Sequence, residues 1–156
     1  MRIVLLTIFA SFAIGCSQPA PPAKASRNDD HDHSQDQPIT KADVKMPATF
    51  DELVTRIEEY DRQIKTAIDS GKPESGHRAL DEVDIVLEDA MTLAQSAVPE
   101  ERLASVNDAR QTIRNAFREL HQSIDSNEQP DYAAKEKAIQ SAIVTLKRAK
   151  EPTKEN

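Results

Sequence analysis

Two histidines and one glutamate, all good ligands for divalent metals, are spaced so that a bundle of helices would bring them together. In an antiparallel hairpin with its turn near Val98, residues equally far before and after the turn face each other, which places His77 opposite His121. A later turn near Glu128 brings Glu136 to a similar height, and Glu136 interrupts the apolar stripe of its own helix. Two imidazoles and a carboxylate from three helices would suit Zn²⁺ or Cu²⁺.

A structural interpretation of the same residues stays open. Both histidines could cap a polar flank, with Glu136 extending into solvent beside Lys135. Lys65 of the first helix is expected nearby, and its charge would oppose a bound cation. Haem is disfavoured, because the chain has no Cys-x-x-Cys-His motif.

Acidic residues on the second predicted helix face basic residues on the third. The same counting from the turn predicts three pairs, Asp84–Arg114, Glu88–Arg110 and Asp81–Arg118. Flanking charges of this kind set the register of neighbouring helices, although each exposed pair contributes only about 0–1 kcal/mol. Because every carboxylate in the ladder has an arginine partner, we interpret the ladder as structural rather than catalytic.

Four amphipathic segments must position these side chains. From Thr49 onward, apolar residues recur every three or four positions, as in helices with one buried face. The stripes run from Phe50 to Ala67, from Leu80 to Ala97, from Leu103 to Ile124 and from Tyr132 to Leu146. Long helices with short links and one stripe each predict an all-α fold, an antiparallel up-down-up-down four-helix bundle.

Residues at the predicted helix ends agree with this assignment. Thr49 and Glu52 form a capping box, and Gly71 is suited to ending the first helix. Each later helix opens with proline and an acid, which suit the first helical position and the positive end of the helix dipole. These openings are Pro73-Glu74, Pro99-Glu100 and Pro130-Asp131.

The chain before the helices is too polar to form a core. It is rich in Pro and Asp and poor in apolar residues, so burial cannot offset the entropy of ordering. We predict a disordered tether at 16–48, the bundle at 49–151 and a disordered tail at 152–156. His31 and His33 in the tether could bind Zn²⁺ or Cu²⁺ loosely, but we favour a solvated spacer.

Residues 1–15 have the pattern of an export signal, with Arg2 followed by an apolar run. That run is too short for a bilayer, which needs about twenty residues. The segment Ala13-Ile14-Gly15-Cys16 resembles the lipobox of bacterial lipoproteins. The resemblance implies cleavage before Cys16, a diacylglycerol on its thiol and a further acyl chain, enough for stable anchoring. By the same resemblance, Ser17 in place of an Asp favours the outer membrane if the source is Gram-negative. An ordinary secretory signal is the alternative.

A second resemblance covers parts of the helical region. Gly71-Lys72-Pro73, His77, Leu80-Asp81-Glu82-Val83 and Leu120-His121 resemble small exported helical proteins of planctomycete-type bacteria. This resemblance implies a fold and a location outside the cytoplasm rather than an activity.

Charge and composition exclude several classes of function. The formal net charge of -7 argues against nucleic-acid binding, and three glycines do not form a phosphate loop. No nucleophile with an oriented base is apparent, so we expect no enzyme. The favoured function is an envelope lipoprotein whose domain, in the periplasm or at the cell surface, interacts with another envelope protein or with itself. The alternative is a Zn- or Cu-binding lipoprotein that uses His77 and His121.

Overall fold

The computed structural model describes residues 39–151. Cys16, the predicted signal at 1–15, the tether before residue 39 and the tail at 152–156 lie outside the described residues. Within 39–151 every regular element is helical and no strand occurs, which confirms the all-α class. No helix in this range combines the length and the apolar character needed to cross a membrane.

Five α-helices and one 3-10 helix make up the described part of the chain. They are α1 (Phe50–Asp69), the 3-10 helix Pro73–Gly76, α2 (His77–Glu88), α3 (Ala90–Ala97), α4 (Glu100–Asp125) and α5 (Tyr132–Arg148). The four predicted stripes all fall on helices, but the second predicted helix is two helices.

The division lies at Asp89, whose ψ of -3° departs from the helical value. Aspartate competes with the helix by bonding locally through its side chain, and so favours helix ends. Here its Oδ1 accepts a bond of 2.6 Å from Lys41 Nζ, which holds the carboxylate outside α2. No Gly or Pro marks this position, so the apolar period alone did not reveal the break.

The start and end of α1 largely follow the prediction. Thr49 is the N-cap, and its Oγ1 accepts from the backbone N–H of Glu52 at 3.2 Å. The Glu52 carboxylate accepts from the N–H of Ala48 at 2.8 Å, one residue earlier than in a standard capping box. After α1, Gly71 adopts a φ of +71°, which glycine tolerates without a steric cost.

The three proline-acid pairs open helical segments in different ways. Pro73 begins the 3-10 helix rather than α2, and Pro99 is the N-cap of α4. Asp131 is the N-cap of α5, where its Oδ1 accepts from the N–H of Ala134 at 3.0 Å. Proline therefore marked the start of each segment to within a few residues.

The predicted apolar stripes meet in one core. Helix α1 packs against α2, α3 and α5, and α4 packs against the same three helices. The largest fully buried side chains come from α1, α2, α4 and α5: Leu53, Ile57, Ile64, Val83, Val86, Leu87, Val106, Ile113, Leu120, Ile139 and Leu146.

The folded region begins before α1. Val44 is 7% exposed and belongs to the core, with Ile39 and Met46 packed against it. A turn orders this segment, since Asp43 Oδ2 accepts from the N–H and the hydroxyl of Thr40 at 3.0 and 2.7 Å. Within the described residues the folded part therefore includes the segment from Ile39 onward, rather than starting at Thr49 as predicted, because Val44 supplies apolar surface to bury.

Candidate metal centre

The two histidines are held at one end of the α2–α4 pair. His77 is the first residue of α2, directly after the 3-10 helix, and His121 lies near the end of α4. Before His77 the chain passes close to α1: a Cβ built on Gly76 would lie 3.2 Å from the Cβ of Ala67. The missing side chain at position 76 therefore lets α2 begin where His77 can reach α4.

The imidazole rings of His77 and His121 are in contact, as the hairpin counting predicts. His77 Nδ1 lies 3.2 Å from His121 Nε2. The rings meet edge to face, with centroids 5.0 Å apart and an angle of 79° between their planes. Both side chains are partly exposed, at 37% and 28%, so the facing nitrogens are accessible to an ion from solvent.

Asp125 is the third member of the cluster. It lies one helical turn after His121 on α4, and its Oδ1 is 3.7 Å from His121 Nε2 and 3.7 Å from His77 Nδ1. The three potential ligand atoms lie within 4.8 Å of one another. The sequence contained a signal for this residue, because a spacing of four places both side chains on the same face of a helix.

Glu136, the third ligand expected from the sequence, does not join the histidines. Its Oε1 lies 3.5 Å from Lys65 Nζ, on the side of α5 that faces α1. Lys65 also lies 3.2 Å from Asp69 and over the ring of Tyr132. The expected carboxylate and the expected opposing cation thus pair with each other. Height along the bundle was a poor guide because it does not say which face of α5 a residue occupies.

The cluster has a geometry that suits a metal ion. Ligand atoms about 2.0–2.1 Å from a tetrahedral Zn²⁺ lie roughly 3.3–3.4 Å from each other. The separations of 3.2 and 3.7 Å are close to this value and need small side-chain rotations. Without an ion, a proton must lie between the two ring nitrogens for them to bond. The Oδ1 of Asp81 lies 3.8 Å from His121 Nε2, at the edge of the cluster.

The charge ladder forms at one of its three predicted positions. Arg114 donates from Nε and a terminal nitrogen to the two carboxylate oxygens of Asp84, at 2.6 and 2.9 Å. This bond raises the pKa of Arg114. A bidentate pair of this kind fixes geometry as well as charge.

The other two rungs are not formed within residues 39–151. No ion pair joins Glu88 to Arg110, and Arg110 donates instead to Asn107 Oδ1 at 3.2 Å. Glu88 is the last residue of α2, so this predicted rung stands at the end of the helix. Asp81 lies beside His121 and forms no ion pair with Arg118.

A buried polar network between α1 and α5 was not predicted. Asp61 is 6% exposed and accepts from Tyr132 Oη at 2.6 Å and from Gln140 Nε2 at 2.7 Å. Burial raises the pKa of Asp61, and these two bonds oppose the rise. Asp61 follows Ile57 by four residues, so its place on the buried face was visible, but its partners were not.

No family model matches the chain, and no curated protein or solved structure is a match for it. The geometry of the described residues and the pattern of the sequence are therefore the basis on which a function can be assigned.

Proposed function

We propose that this protein is a non-enzymatic, lipid-anchored protein of the bacterial cell envelope whose helical domain binds one divalent metal ion. The ligands are His77, His121 and Asp125. The observation that carries the proposal is the convergence of two ring nitrogens, 3.2 Å apart, with one carboxylate oxygen 3.7 Å from each. Two imidazoles and a carboxylate select Zn²⁺ or Cu²⁺ over Mg²⁺ and Ca²⁺.

The fold we propose is an up-down-up-down four-helix bundle in which α2 and α3 together occupy the place of the second helix. Two facts support it: α1 and α4 each pack against both α2 and α3, and the links between successive helices are short. In such bundles metal ligands come from facing helices, as His77 on α2 and His121 on α4 do.

The anchor in this proposal is Cys16, carrying acyl chains in the outer membrane, with the polar tether between it and the folded domain. The support is the lipobox resemblance together with the short apolar run before it. The folded domain would then lie in the periplasm or at the cell surface, and a metal ion could reach the site from solvent.

Metal binding fits the described surface better than docking to a protein does. Within residues 39–151, Val144 is the one large hydrophobic side chain that is exposed, at 43%. Protein-docking surfaces usually offer a larger contiguous apolar patch. Self-association or binding to an envelope protein becomes the preferred function if the metal titration fails.

The test is a titration of the full chain, in detergent, with Zn²⁺ and with Cu²⁺. We expect one tightly bound ion per chain. His121→Ala should weaken it by more than the roughly 10–100-fold that loss of an outer partner costs, because a direct ligand is removed. The matched control is His31→Ala with His33→Ala, which removes two imidazoles from the tether and should leave the tight site intact.

A His121→Ala protein that binds as tightly as the parent would show that the site does not exist. Far-ultraviolet circular dichroism of each variant checks that the helices are retained. Mass spectrometry of the mature amino terminus tests the anchor separately: we expect an acylated Cys16, and a secreted form with an unmodified thiol would contradict the lipoprotein assignment.

A further inference from the structure

A cavity of about 290 Å³ lies between α2 and α4 beside His121 and opens to solvent. It is roughly twice the volume of a cavity that holds benzene in an engineered protein core. A small organic molecule of the size of an amino acid therefore fits in it.

The inner wall of the cavity is apolar. Leu80, Val83 and Phe117 line it, and none of the three is more than 3% exposed. Ile39 and Ile85, which are partly exposed, also line the cavity, so the accessible part of this wall is apolar as well. It would hold a hydrophobic group of a ligand in preference to water.

The rim of the cavity carries two opposite charges that do not neutralise each other. Asp81 and Arg118 both line the cavity, yet no ion pair joins them, and Arg118 has no hydrogen-bond partner in the part of the chain that the structure describes. The other charged pair there, Asp84 with Arg114, is bonded at both carboxylate oxygens. The guanidinium of Arg118 and the carboxylate of Asp81, which lies 3.8 Å from His121 Nε2, are thus placed to meet a ligand.

We propose that this cavity binds a small zwitterion with an apolar side chain, that is, a hydrophobic α-amino acid. Its carboxylate would accept from the planar fork of Arg118, and its ammonium would donate to Asp81. Its side chain would lie against Ile39 and Ile85, in front of the buried side chains Leu80, Val83 and Phe117. A simple anion or a simple amine would leave one rim charge unmatched, which disfavours both.

This binding does not depend on a metal ion. His121 contributes to the cavity wall and to the metal centre, but the ligand contacts proposed here are to Asp81, Arg118 and the apolar wall. Experiments on chelator-treated protein therefore test the cavity alone, and failure of the metal titration would leave the result unaffected.

The first experiment is a calorimetric and NMR titration of the full chain, treated with chelator, with L-leucine. Three probes each lack one part of it: glycine lacks the apolar side chain, 4-methylpentanoate lacks the ammonium and 3-methylbutylamine lacks the carboxylate. We expect saturable binding of leucine, with each probe at least about tenfold weaker, as the loss of one charged hydrogen bond or of a buried apolar group implies.

The second experiment uses charge-neutralising variants of the rim. Arg118→Gln and Asp81→Asn should each weaken leucine binding by about 10–100-fold, the effect of losing a charge-assisted bond. Arg62→Gln on α1 and Asp108→Asn on α4 make the same changes outside the cavity and should bind as the parent does.

Three outcomes would overturn the proposal: no saturable binding of leucine, unchanged binding by both rim variants, or equally tight binding of leucine and one of the two singly charged probes. The first would leave the cavity without this ligand, and the other two would show that the rim charges do not recognise a zwitterion.

Discussion

Two polar clusters between helices, both within residues 39–151, differ in whether hydrogen-bond donors match their acceptor atoms. In the network between α1 and α5, Asp61 is buried and accepts from two donors, Tyr132 and Gln140. In the cluster between α2 and α4, His77 and His121 are partly exposed and Asp125 is exposed, and two ring nitrogens and a carboxylate oxygen point toward one another.

The number of hydrogen-bond donors available to each acceptor therefore separates structural from ligand-binding polar groups in this fold. A buried carboxylate with a donor bonded to each oxygen presents little surface to a ligand, and it stabilises the contact between its helices. A cluster of acceptors without enough donors needs a proton or a cation to be complete. Mutations should therefore affect stability at the first cluster and ligand binding at the second.

The largest expected effect on stability is at Asp61. Asp61→Ala would leave the hydroxyl of Tyr132 and the amide of Gln140 without their acceptor, so we expect the free energy of unfolding to fall by about 2–4 kcal/mol. Urea denaturation followed by circular dichroism measures the change. Asp61→Asn keeps an oxygen acceptor for Tyr132 and should cost less. Equal losses in both variants would contradict the role of these two bonds.

The pH dependence of the free energy of unfolding, measured for the parent and for Asp61→Asn, tests the buried cluster further. Because burial raises the pKa of Asp61 above its ordinary value of 3.8, the folded state holds its proton more tightly than the unfolded state does. The contribution of Asp61 is then fully present below that ordinary value and is lost as pH rises through the raised pKa. The free energy of unfolding of the parent, relative to that of Asp61→Asn, should thus fall as pH rises from the ordinary pKa to the raised one. A difference that stays constant with pH would contradict the raised pKa of Asp61.

A smaller effect, on affinity alone, is expected at Asp125. Asp125→Asn removes the charged ligand of the metal centre and should weaken Zn²⁺ binding by about 10-fold or more, since a charged contact is worth about 1.5–3 kcal/mol. Glu136→Gln is the matched control, because Glu136 lies with Lys65 instead. Competition with a zinc indicator measures both. If Glu136→Gln has the larger effect, the ligand expected from the sequence is the correct one.

The smallest effect is expected in the charge ladder. Asp84→Asn breaks a partly exposed pair with Arg114 and should reduce the free energy of unfolding by about 0–1 kcal/mol. Glu88→Gln, at the rung that is not formed, should change it less. Thermal unfolding of the two variants side by side gives the difference, and a larger loss for Glu88→Gln would show that this rung forms in solution.

The elements were predictable from the sequence because burial on one face imposes a period. The predicted stripes are buried except at Ala97, which is exposed, and at Leu103, which is partly buried. Thr49, Gly71 and Asp131 act at helix ends. The break at Asp89 was not predictable in this way, since Ala90 and Ala94 continue the apolar period across it. Asp89, where the break falls, bonds to Lys41, which is distant in sequence.

The parts of the candidate site that depend on the register between neighbouring helices were predictable from the sequence. The part that depends on the rotation of a helix about its own axis was not. The pairing of His77 with His121 follows from counting about one turn, as does that of Asp84 with Arg114. Placing Glu136 required knowing the rotation of α5 about its axis, in which Tyr132 is turned toward α1 and bonds to Asp61. That bond could not be read from spacing alone.

The burial of Val44 ahead of α1 has a mechanical consequence. A force applied to the chain before Ile39 acts first on two contacts, the buried side chain of Val44 and the Lys41–Asp89 ion pair. It reaches Phe50 only after them. The segment at 39–48 would therefore have to slide against its neighbours before the first turn of α1 could unfold.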